Sequence, residues 1–140
     1  MNYTTNYNLN QWEETDRVTR AEFNADNAAI DAALAGKCEV VVGTYTGDGA
    51  LSQQIELGFR PKAVYVCRRD GSTRLRSDSN EIAHYGGLAV NGGAAYTEYN
   101  YSTILAINST GFNVFYSTTT SAAVVRANEN GHKYHYIAFK

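Results

Sequence analysis

Proline is nearly absent from this 140-residue chain, cysteine is scarce, and charge of one sign does not dominate. Each shortage excludes something. The only proline, Pro61, sits in a break, Gly58-Phe59-Arg60-Pro61, ahead of a strong strand pattern. No apolar run approaches the ~18 residues of a membrane-spanning helix. The opening MNYTTNYNLNQ has no basic residue and no apolar core, so it does not read as a secretory signal. Without such a signal, Cys38 and Cys67 are expected as buried, reduced thiols, with a disulfide or a reactive thiol as the lesser alternative. At this length a single β domain with a small appendage buries enough surface to fold without staples.

Lys and Arg number 12 against 14 Asp and Glu, a net charge of −2. Nucleic acid is therefore not the expected partner, because phosphate binding needs a basic face. The one basic cluster, Arg68, Arg69, Arg74 and Arg76, brackets the turn Asp70-Gly71 and reads as two solvated strand ends. Catalytic signatures are also missing: GxSxG, HExxH, GxxxxGK[ST] and GxGxxG do not occur. His132 and His135 are three apart at a strand start, where they face opposite sides and do not chelate one ion. No metal or cofactor is expected. A glycan hydrolase would need two carboxylates about 5–10 Å apart in a cleft. Glu81 and Glu98 are the one pair in a loop-rich region that can be considered for that role, and the expectation is that the chain is not an enzyme.

What the chain does have is a well-punctuated helix. Thr19-Arg20-Ala21-Glu22 is a capping box, and Val18 with Phe23 has the spacing of a hydrophobic staple. Alanine-rich filling favours helix, and Gly36 is a natural stop, so the helix is expected over 20–35. Phe23, Asn27, Ile30 and Leu34 follow the spacing of a two-heptad seam, with Asn27 at a position that fixes register. Two heptads are too short to hold alone, so the seam is expected either between copies of the chain or against its own domain. The lead-in carries Trp12, which needs a surface, either on another subunit of an assembly or on its own helix.

From Cys38 onward the pattern is β. Residues 51–57 alternate, and 62–69, 102–108, 112–117 and 134–139 read as strands, with turns at Thr46-Gly47-Asp48-Gly49, Asp70-Gly71, Ser109-Thr110-Gly111 and Asn130-Gly131. Apolar residues on both faces of 63–67 imply a central strand or a subunit interface. The expected architecture is mainly β: an N-terminal arm and oligomerisation helix over 1–36, then an antiparallel β-sandwich head over 37–140. Residues 77–100 are glycine-rich and read as irregular. His84, Tyr85, Tyr96, Tyr99 and Tyr101 stand in or beside this region and are the candidate ligand-binding residues, since loops on a rigid scaffold are where binding residues gather. Tyrosine, at 11 of 140 residues, suits recognition surfaces and ordinary β domains alike.

The segment QWEETDRVTRAEFNADNAAIDAAL resembles the N-terminal helix of tail-fibre and tail-tip proteins from phages and prophages of Gram-positive bacteria. GTYTGDG at 43–49, LGFRPKAVYV at 57–66, INSTGFNV at 107–114 and NENGHKYHYIAF at 128–139 are similar to C-terminal modules of such fibres. The resemblance implies a homotrimeric virion component of the tail, made in the bacterial cytoplasm, whose partners are itself, other phage tail proteins and a bacterial cell-surface glycan, with no membrane insertion. It supplies no catalytic residue. A trimeric, non-enzymatic adhesin is the leading expectation, and a purely structural tail or baseplate component is the alternative.

Overall fold

The computed structural model describes residues 2–77, 80–119 and 122–140. These form two compact units, residues 1–38 and 39–140.

In the first unit, β1 (Asn2–Tyr3) and β2 (Asn10–Gln11) make a two-stranded antiparallel hairpin, followed by α1 (Arg20–Ala35). The helix starts where the capping box puts it. The Thr19 hydroxyl accepts from the Glu22 amide at 3.3 Å, and the Glu22 carboxylate accepts from the Thr19 amide at 3.2 Å. Gly36 ends the helix in a right-handed conformation, φ −82°. The glycine therefore stops the helix through its low propensity rather than as a left-handed cap. The lead-in does not extend away. Asn10 donates to the Asp26 carboxylate from its backbone amide at 3.1 Å and from its side chain at 2.9 Å, fastening the hairpin to α1.

The second unit is mainly β. Its strands are β3 (Val40–Thr46), β4 (Ser52–Glu56), β5 (Ala63–Arg68), β6 (Arg74–Arg76), β7 (Ile82–His84), β8 (Gly87–Val90), β9 (Ala95–Tyr96), β10 (Thr103–Ile107), β11 (Gly111–Phe115), β12 (Ala123–Val125) and β13 (Lys133–Phe139). One antiparallel sheet runs β4-β11-β10-β9 and another β3-β13-β5-β8. Both contribute to one buried cluster: Tyr45, Val64, Val66, Ala89, Tyr134 and Ala138 from one sheet, Ile104, Leu105, Phe112 and Val114 from the other. The Phe112 ring meets Tyr136 edge-on at 5.3 Å and Tyr45 at 6.4 Å, joining the two sets.

A third sheet, β12-β7-β6, departs from the antiparallel expectation because β12 lies parallel to β7. Parallel neighbours need a long crossover, and here β8 to β11 lie between them in the chain. The stretch expected to be irregular also holds β7, β8 and β9 among its described residues; Asp78 and Ser79 lie outside them. Its glycines let it fold tightly. A Cβ on Gly86 would sit 2.0 Å from the Val66 carbonyl oxygen, and Gly87 has φ 149°. Cys67 is partly buried as expected of a strand residue, but Cys38 is exposed because it precedes β3.

The strings GTYTGDG and NENGHKYHYIAF lock onto each other. Asn128, fully buried, donates from Nδ2 to Asp48 Oδ1 at 2.6 Å and to the Ala50 carbonyl at 2.9 Å, and accepts from the Asp48 amide at 3.1 Å. The Gly49 amide donates to the Asn128 carbonyl at 3.0 Å, and the Gly131 amide to that of Gly47 at 2.9 Å. A Cβ at Gly47 would lie 2.2 Å from the Glu129 carbonyl oxygen, so this approach requires glycine.

Candidate functional site

Two groups of tyrosines contrast in their surroundings. Tyr45 and Tyr134 stack at 4.8 Å between centroids inside the core. Tyr45 donates to the Ala127 carbonyl at 2.6 Å, and Tyr134 donates to the Arg126 carbonyl. Burial pushes both phenols well above their ordinary range. Tyr99 and Tyr101 are instead exposed on the turn joining β9 to β10, as is Tyr96 at the end of β9, with Tyr101 74 % accessible.

That turn is built to hold its shape. The buried Thr97 hydroxyl accepts from the Ser102 amide at 3.0 Å and bonds the Asn100 side chain, while the Thr97 amide donates to the Ser102 carbonyl at 2.9 Å. Asn100 reaches on to the Ala123 carbonyl at 3.3 Å. Tyr101 takes a left-handed conformation, φ 51°, which is strained for an aromatic residue. The loop thus carries three aromatic faces on a closed frame.

Ser102, the next residue, is the start of an open groove of about 430 Å³ lined by Thr103, Phe115, Tyr116, Ser117, Thr118 and others. Hydroxyls and aromatic faces together suit a sugar ring, which presents hydroxyls at its rim and C–H groups on its face. Arg126 supports the groove wall: its guanidinium lies 5.1 Å from the Tyr116 ring centroid and donates to the Ser117 carbonyl at 2.7 Å. The groove's lining residues, none of which is among the five candidates, were missed from sequence. Only the density of Ser and Thr at 117–119 marks them there.

His84 and Tyr85 are placed differently. His84 is buried in β7, its Nε2 without a hydrogen bond and 3.9 Å from Glu98 Oε1. Burial lowers its pKa, partly offset by Glu98 and reinforced by Arg74. Tyr85 is half-buried beneath Arg68, with the guanidinium 4.9 Å from its ring centroid, and burial raises its pKa. Both back the scaffold, whereas Tyr96, Tyr99 and Tyr101 face out. Glu98 pairs with Arg74 at 2.7 Å and Glu81 lies 3.8 Å from Arg126. Neither carboxylate lines the hydroxyl groove. Among the described residues no group of three or more His, Cys, Asp or Glu side chains is arranged to hold a metal ion.

Two further surfaces are apolar. On α1 no residue is buried: Phe23 is 55 %, Ile30 41 % and Leu34 59 % accessible, and Asn27 is exposed between them. Trp12 is half-buried. On the second unit, the face of β3-β13-β5-β8 opposite the core carries two cross-strand rows. Val42, Ile137, Tyr65 and Leu88 stand in register across all four strands, and every one is exposed. Val40, Phe139, Ala63 and Val90 form the next row, with the outer two exposed.

Comparison with protein families, with curated proteins and with solved structures found no match. The class that the fold itself defines is a mainly β protein with one helix and several antiparallel sheets. Among the described residues no helix is long and apolar enough to cross a membrane.

Proposed function

We propose that the chain is a subunit of a homotrimeric phage tail-fibre or tail-tip protein, located in the virion tail, that binds a bacterial surface glycan without catalysis. The observation that carries it is the pair of apolar rows on the outer face of β3-β13-β5-β8. A continuous apolar surface of this kind on a protein rich in polar residues marks an interaction face. The bare stripe Phe23, Ile30 and Leu34 on α1 supports the same reading from a separate element. Such a stripe, interrupted by Asn27, suits a short register-setting bundle. The resemblance of both segments to tail-fibre proteins suggests three copies.

The tyrosine turn and the hydroxyl groove supply the adhesive function. Each site would be weak, and three on one particle would raise avidity by about two to four powers of ten. Light scattering at micromolar concentration is expected to give three times 15.4 kDa. The intact protein is expected to bind labelled cell walls of a permissive host. A monomer, or no binding to walls of any permissive host, refutes the proposal.

A structural tail or baseplate subunit is the second reading. It is favoured by the exposed Tyr3 and Tyr7 on the arm and by the small recess formed by Tyr7, Ile30, Ala33, Leu34 and Lys37. It predicts tight binding to another virion protein through residues 1–18 and none to cells.

A further inference from the structure

Four groups that can carry positive charge converge at one end of the β5–β13 pair. Arg68 and Arg69 lie at the end of β5, and His132 and Lys133 at the start of β13. The Arg69 amide donates to the Lys133 carbonyl at 3.0 Å, so the strand register sets the two turns side by side. Together with Gly131 they line one open cleft of about 270 Å³. A Cβ on Gly131 would meet nothing within 4 Å, so the cleft is open on that side.

Three of the 12 Lys and Arg residues of a chain with net charge −2 therefore face one small space. Two carboxylates lie near them and offset this only in part. Asp70 Oδ2 is 3.9 Å from Arg68 Nε, while its Oδ1 is occupied by the Ser72 amide at 3.0 Å and hydroxyl at 2.6 Å. Glu129 lies 3.7 Å from His132 Nε2. The Tyr85 ring under Arg68 holds that guanidinium and shields one of its faces from water, leaving its in-plane N–H edges as the donors.

We propose that this cleft binds a phosphate-type anion, either a free phosphate or a phosphodiester carried on a polymer. The planar fork of an arginine matches two oxygens of a tetrahedral oxyanion, an ammonium supplies a further charge-assisted donor, and an imidazole N–H adds a hydrogen-bond donor. The cleft is lined by none of the residues of the hydroxyl groove. Its assignment stands whether or not the protein is an adhesin.

The test is a titration of the intact, isotopically labelled protein with inorganic phosphate and, separately, with a glycerol phosphate oligomer, followed by amide chemical shifts. Phosphate is expected to move the amides of 68–69 and 131–133 with a Kd of about 1 mM. Arg69→Gln combined with Lys133→Gln is expected to weaken binding about tenfold or more, and Arg76→Gln to leave it unchanged. An oligomer bound over about tenfold more tightly than inorganic phosphate identifies the polymer as the source, and equal affinity identifies the free anion; either supports the cleft. No shifts with either probe, shifts centred elsewhere, or full affinity in the double variant overturns it. Host-wall binding by the double variant, measured separately, bears on the adhesin reading alone.

Discussion

Replacing Asn128 with Ala should be among the most damaging single changes available to the β unit, although Asn128 is polar and sits in a loop. Its side chain is fully buried and makes three hydrogen bonds, to Asp48 Oδ1, the Ala50 carbonyl and the Asp48 amide. The Asp48 carboxylate is exposed and rehydrates when the amide is removed, so its loss is small. The two backbone groups are different. If stranded, each costs about 1–3 kcal/mol, with water entering from the exposed Ala50 side recovering part of this. The sum is about 2–4 kcal/mol, against a total stability of about 5–15 kcal/mol for a domain of this size. At about 4–8 °C per kcal/mol the melting temperature should fall by about 8–32 °C. Far-UV circular dichroism melts, with urea titrations to check that the m-value is unchanged, measure this directly. Asn130→Ala, at an exposed neighbouring position, should change stability by less than about 0.5 kcal/mol. If Asn128→Ala also costs less than about 0.5 kcal/mol, the two turns do not depend on this amide, and the account of why the GTYTGDG and NENGH strings belong together is wrong.

Ile30→Asp places a carboxylate in the helix stripe and should convert the assembled protein to a monomer by light scattering, with its circular dichroism spectrum retained; an unchanged mass would remove α1 from the subunit interface. Tyr99→Ala and Tyr101→Ala should each weaken binding to host cell walls by about two- to tenfold, the range expected for one aromatic stacking contact, with no change in melting temperature; unaltered binding would exclude the turn as a contact surface. His84 gives a pH prediction with a definite sign. Burial lowers its folded-state pKa, so the unfolded chain takes up the proton first. Stability from this group is therefore complete above the unfolded value of about 6.5 and is lost as pH falls below it. Urea midpoints measured between about pH 7 and pH 5 should decline, and His84→Phe should flatten the decline; an identical slope in the variant would assign it to other groups.

The features written locally in the chain were legible in it. The capping box Thr19-Glu22 set the start of α1, alternation at 51–57 marked β4, and strand-like runs between turn signals marked β5, β10, β11 and β13. What depends on distant pairing was not. Ala123–Val125 is three residues long and carries no period, so its parallel match to Ile82–His84 had no local signal. The aromatic pattern at 84–101 named five candidates without sorting them, because exposure is decided by what packs behind each ring. Tyr85 lies under Arg68, His84 is covered in β7, and the other three stand on a turn pinned by Thr97. Arg68 and Arg69 read as a solvated strand end for the same reason: Lys133 reaches them only through the register of β13 on β5. The bond from Asn10 to Asp26 likewise has no local signal, because it joins residues 16 apart.

The position of β13 also bears on how the β unit comes into being. It is a central strand, bonded to β3 on one side and β5 on the other, yet it is the last of the unit to be synthesised. Until residues 133–139 emerge, β3 and β5 have no common partner, and each presents an open row of backbone groups. Closure requires contacts spanning most of the unit's length, a topology that folds slowly and exposes pairing-competent edges while it waits. Vectorial synthesis therefore cannot close the β3-β13-β5-β8 sheet strand by strand, although β4, β9, β10 and β11 precede β13 in the chain. That sheet closes late, in competition with the same edges on neighbouring nascent copies.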